Sequence, residues 1–74
     1  MNKFEKVAKE LHHLAPGHAI TDVVGAVKMI DELRGEGLIA AAIQQKVVSK
    51  IASTSPFAKL KFIEKSVRLL SATS

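Results

Sequence analysis

Three clusters of helix-breaking residues limit what this chain can become. They are "APG" at Ala15–Gly17, "RGEG" at Arg34–Gly37 and "STSP" at Ser53–Pro56. Glycine, proline and the small hydroxyl residues favour turns over continued helix, so each cluster marks a corner. In the four stretches they delimit, apolar residues recur at about 100° per position, the period of a helix with one buried face. The expected fold is all-α: a compact bundle of four short helices near residues 2–14, 21–34, 38–52 and 56–70. Short corners make successive helices antiparallel or angled neighbours. Residues 1–74 form one small domain, with 71–74 a frayed tail. "DVVGAV" and "KVVSKI" contain β-branched residues, but both sit inside patterns of helical period rather than the alternation of a strand.

Each segment carries its own signals. In the first, Phe4, Val7, Leu11 and Leu14 share a face, and Asn2 is placed to cap the start. The second opens at Thr21, an expected N-cap, with Asp22 in the first turn where the helix dipole favours an acid. Val23, Ala26, Val27, Met29, Ile30 and Leu33 form its apolar face. Gly25 within it is a penalty of about 1 kcal/mol relative to alanine, which a close helix crossing would explain. The third segment is the greasiest, with Ile39, Ala40, Ile43, Val47 and Ile51 on one face and Ala41 and Val48 widening it. It is expected to be the most buried helix. The fourth starts from Ser55 as N-cap and Pro56 as first helical residue, where a missing amide hydrogen does no harm.

A chain of 74 residues buries a smaller fraction of its surface than a larger domain does. With no cysteine, no disulfide can reinforce it. The 47% hydrophobic content is too high for a disordered chain. Phe4, Phe57 and Phe62 are its only aromatics, so the core must be aliphatic. Segments three and four carry wider apolar arcs than one core requires, since a helix touching a single core needs one stripe. In segment four, Leu60, Ile63, Val67 and Leu70 form one stripe, and Ala58, Phe62 and Leu69 a second beside it. Phe62 and Leu69 then have two readings. Either they meet a second copy or a partner, so that a homodimer completes the bundle, or they pack on the first helix of their own chain.

Charge is distributed unevenly. Residues 1–37 hold five bases and six acids, a balance of −1, while residues 38–74 hold six bases and one acid, a balance of +5. A charged half can steer an anionic partner, or the two halves can attract each other. No window offers the ~18 apolar residues of a membrane span. The start, "MNKFEKVAKE", interleaves acids with lysines and lacks the apolar region of a signal peptide. A cytoplasmic location is expected.

Catalysis needs converging polar groups, but the acids fall on the outer faces and several stand one turn from a base, as Glu64 does from Arg68. No enzyme activity and no small-molecule substrate are expected. His12, His13 and His18 cluster in "HHLAPGH". Adjacent histidines diverge by about 100° on a helix, which is poor spacing for a ligand set. Histidines ending a helix interact well with its dipole and last carbonyls, so neither metal nor cofactor is expected.

What remains is recognition by surface. The leading expectation is a small regulator, inhibitor or adaptor that docks on an acidic protein. Phe57, Phe62 and Leu69 would be its apolar anchors, and Lys61, Lys65 and Arg68 a steering rim. Small regulators of phages and bacterial operons resemble it in size and character. The stretch "VVSKIASTSPFAKLKFIEKSV" resembles a helix-turn-helix unit in layout, with the basic last helix as reader. That resemblance implies nucleic-acid binding, in which Ser53, Thr54, Ser55, Lys59, Lys61, Lys65 and Arg68 would contact phosphates. The helix begins Pro56–Phe57–Ala58–Lys59, which offers little base-reading chemistry. A third reading lays the basic amphipathic helix on an anionic membrane. The missing tryptophan and the acidic first half place it last.

Overall fold

The computed structural model describes residues 2–73. Four α-helices carry the fold: α1 (Lys3–Leu11), α2 (Ile20–Gly35), α3 (Ala40–Lys50) and α4 (Leu60–Thr73). Two short 3-10 turns accompany them, His12–Leu14 and Pro56–Ala58. No strand occurs among the described residues. The all-α expectation of four short helices therefore holds. The shape is flat, 28 × 28 × 16 Å.

Local chemistry sets most boundaries. Asn2 caps α1, its Oδ1 accepting from the Glu5 amide at 2.9 Å, while its Nδ2 reaches back to the Glu5 carboxylate at 3.4 Å. Gly17 and Gly37 both adopt φ of 84°, a backbone region that other residues rarely enter. The start of α2 differs from expectation. Extended Ala19 is the N-cap, and its carbonyl accepts from Asp22 and Val23. Thr21 is therefore already inside the helix and caps nothing. The expected fraying after Leu70 is also not seen, since α4 continues to Thr73. There the Ser71 and Thr73 hydroxyls bond back to the carbonyls of Val67 and Leu69, at 2.9 and 3.0 Å. Ser74 lies outside the described residues.

The largest departure is before α4. Ser55 does act as a cap, accepting from the Phe57 amide at 3.2 Å, and Pro56 does follow it. But the chain makes only one 3-10 turn, and Lys59 is extended, with φ −76° and ψ 137°. A helix running unbroken from Pro56 would set Phe57 in line with Lys61, Glu64 and Arg68, on the solvent side. The break lets Phe57 and Ala58 turn inward, leaving them 9% and 2% exposed. Gln44 of α3 holds this corner, its Nε2 donating to the Ala58 carbonyl at 3.1 Å.

The helix arrangement also reverses the expected ranking of burial. α2 and α4 each pack against all three other helices, while α1 and α3 share no substantial interface. The core is built from Val7, Leu11, Val23, Val27, Ile30, Ile43, Val47, Phe62, Ile63 and Leu70. α3 contributes only Ile43 and Val47 among fully buried residues. It is thus peripheral, with Val48 39% and Ile39 74% exposed. Much of its apolar content is Ala40–Ala42, whose methyl groups bury little area.

Two polar features tie the bundle. Asp31 of α2 receives Arg34 at 3.0 Å and Lys3 of α1 at 3.8 Å, and Arg34 reaches Ser71 of α4 at 3.5 Å. Ser66, wholly buried, satisfies its hydroxyl by donating to the Phe62 carbonyl at 2.8 Å. The interior thus carries no buried side-chain polar atom without a partner among the described residues.

Candidate binding surface

The outer face of α4 sets three cations against one acid. Positions 61, 65 and 68 are successive neighbours on a helix surface, and they hold Lys61, Lys65 and Arg68, with Lys59 just before the first turn. Lys59, Lys61 and Arg68 are exposed, and Lys65 is half-buried. Glu64 is the single acid on this face.

The proposed electrostatic attraction between the two halves of the chain does not take the form of ion pairs. Among the described residues, both ion pairs lie within residues 1–37, converging on Asp31. None involves Lys59, Lys61, Lys65 or Arg68. Their charge is therefore directed to solvent or to whatever binds there.

The apolar anchors expected beside these cations are elsewhere. Phe62 is 2% and Phe57 9% exposed, and the two rings meet edge to face at 5.3 Å. Leu69 is half-buried against the same core. Phe57 and Phe62 are therefore spent inside the monomer and cannot serve as docking anchors, while Leu69 packs partly on the core and leaves part of its side chain at the surface. The reason is geometric: α4 is central and needs more than one apolar stripe, the narrower of the two readings open from the sequence. In their place, Leu60, Val48 and Ile39 are the large apolar residues exposed among those described.

The helix-turn-helix layout is not formed. That motif joins its helices by a turn of three or four residues, whereas here residues 51–59 separate α3 from α4 and include a 3-10 turn. Ser53 and Thr54 are exposed on this connection. Ser55 is half-buried, its hydroxyl engaged in the cap.

His12 and His18 have structural positions, while His13 is exposed. His12 closes α1, with its Nε2 2.7 Å from the His18 carbonyl. A carbonyl only accepts, so Nε2 carries the proton in this contact. The His18 ring meets Phe57 edge to face at 4.9 Å, seating the corner on the core. Among the described residues, no three of His, Asp and Glu come together as a metal-binding group.

Two grooves flank the outer side of α2. One, of about 510 Å³, runs between α1 and α2 over Ile20 and Val24, with Glu5, Lys9 and Lys28 at its edges. The other, of about 350 Å³, runs toward α3 over Met29 and Ile51. Thr21 and Gly25 line both. Gly25 is exposed, and a Cβ placed there would meet nothing within 4 Å. It therefore supports no close crossing within the monomer, contrary to expectation.

No helix among the described residues is long and apolar enough to cross a membrane. No protein family, no curated protein and no solved structure matches this chain.

Proposed function

We propose that this domain is a non-enzymatic binding module whose α4 outer face docks on an acidic protein surface. The observation that carries the reading is the row Lys61, Lys65 and Arg68 on one helix face, with no carboxylate paired to it among the described residues. Such a row steers association and fixes register more than it supplies raw affinity.

A protein fits this face better than a phosphate backbone does. Glu64 stands among the cations, where it would repel phosphate but would suit a partner of mixed charge. Direct readout of bases from α4 lacks its usual side chains.

The test compares affinity capture by the wild-type chain with capture by the variant Lys61→Glu, Lys65→Glu, Arg68→Glu, with nuclease on a parallel arm. A protein captured only by the wild type, with capture that falls as salt rises and survives nuclease, supports the reading. Equal capture by the triple variant removes it. Material lost after nuclease makes the anion a nucleic acid instead.

A further inference from the structure

We infer that the acidic partner docks by seating one aliphatic side chain, flanked by carboxylates, in the cleft at the head of α4. This rests on the α4 reading above and adds the apolar contact that a row of charges lacks. The cleft, of about 120 Å³, opens where the two 3-10 turns meet the last helix. Leu14 ends the first turn and Pro56 begins the second. Phe62, 2% exposed, forms the floor, and Lys59 and Lys61 stand at the mouth.

The break before α4 makes this arrangement. In an unbroken helix, residues 59 and 61 would stand about 200° apart around the axis, on opposite sides. The extended backbone at Lys59 lets both lysines line one cleft. Neither forms an ion pair among the described residues. Glu64 does not answer them, because on the helix it lies on the side of Lys61 opposite to Phe62, away from the cleft.

Shape and charge together select the occupant. A cavity of about 150 Å³ takes a benzene ring, so the smaller cleft suits one aliphatic side chain. Leu14 and Pro56 are half-buried, and a side chain seated between them removes more of their surface from water. The stems of the two lysines cover its flanks while their ammonium groups stay at the rim. Carboxylates on either side of the seated residue then meet two unpaired cations. A nucleic acid would offer phosphates to the lysines but no aliphatic side chain to the cleft. Nor does Phe62, closed off from solvent, present a ring face on which a base could stack.

NMR titration at low salt and neutral pH tests this with two end-blocked peptides, EELEE and EEAEE. Circular dichroism verifies the fold of every variant. The leucine peptide is expected to move the Leu14 methyl signals and the backbone signals of residues 59–62. It should bind about fivefold or more tightly than the alanine peptide. Lys59→Glu, outside the row of the capture experiment, should weaken it by a similar factor. Lys59→Glu combined with Lys61→Glu should instead take the peptide KKLKK, with the same Leu14 shifts. Equal affinity for leucine and alanine, with shifts centred on Lys65 and Arg68, overturns the inference and leaves the α4 reading standing. Leucine-dependent shifts over Ile20 and Val24 in place of Leu14 overturn it too, as does a folded double variant that ignores KKLKK. If no signal moves up to about 10 mM peptide, the inference falls, and the α4 reading is then decided by the capture experiment alone.

Discussion

α3 and α4 are the two helices whose apolar arcs are broadest in the sequence, and the fold treats them in opposite ways. α4 packs on every other helix and buries Phe62, Ile63, Ser66 and Leu70. α3 lies at one side and buries Ile43 and Val47. The difference comes from side-chain size rather than from apolar count. Three consecutive alanines enlarge an apolar arc on paper but offer little surface to remove from water, whereas Phe, Ile and Leu each offer much more. A small domain with few large side chains surrounds those it has.

The largest expected effect tests that claim directly. Phe62→Ala should destabilise the fold by about 3–5 kcal/mol, a substantial part of the total for a domain of this size. If urea titration shows a loss no larger than that of an exposed-site variant, α4 is not the central helix described here. Next comes Gln44→Ala, which strips the Ala58 carbonyl of its donor where α3 meets the inward turn. A loss of about 1–2 kcal/mol is expected by chemical denaturation. No change would mean that the corner before α4 is held by Phe57 packing alone.

Gly25→Ala works in the opposite direction. Measured by thermal unfolding of the dilute chain, it should raise stability by up to about 1 kcal/mol, since the added methyl meets open space. A drop would reveal a contact at α2 that the geometry lacks. The smallest effect is assigned to the outer side of α3. Val48→Ser, at a site 39% exposed, should change stability by no more than about 0.5 kcal/mol in either direction. A loss comparable with that of Phe62→Ala would erase the contrast between the two helices.

Much of this architecture was legible in the residues. The corners at 15–17 and 34–37, the Asn2 cap and the apolar faces of α1 and α2 all follow from turn chemistry and period. The fourth helix was legible only in part. Pro56 and Ser55 signal a helical start, and they do start a turn, but Phe57 would face solvent if that turn continued. An aromatic falling in line with Lys61, Glu64 and Arg68 was the available sign that the helix breaks after it. The candidate surface divides in the same way. Its cations stand on the outer face of α4, as their spacing predicts, whereas Phe57 and Phe62, expected beside them, belong to the core, with Leu69 partly packed against it. Nothing in a single helix distinguishes a second stripe that meets a partner from one that meets a neighbouring helix. The Gln44–Ala58 and Lys3–Asp31 contacts gave no signal, because they join separate segments of the chain, whereas the Asp31–Arg34 pair, three residues apart on α2, was within reach of helix spacing.

Periodicity, turn residues and caps are short-range properties, so the sequence alone determined that this chain forms four helices, and roughly where. Which helices occupy the centre was decided only by the tertiary structure. That depends on how a limited supply of large side chains from all four segments is shared in one small volume, a quantity no single segment contains. The same sharing drew Phe57 inward at the expense of a continuous last helix, and left α3, the greasiest stretch by count, at the edge.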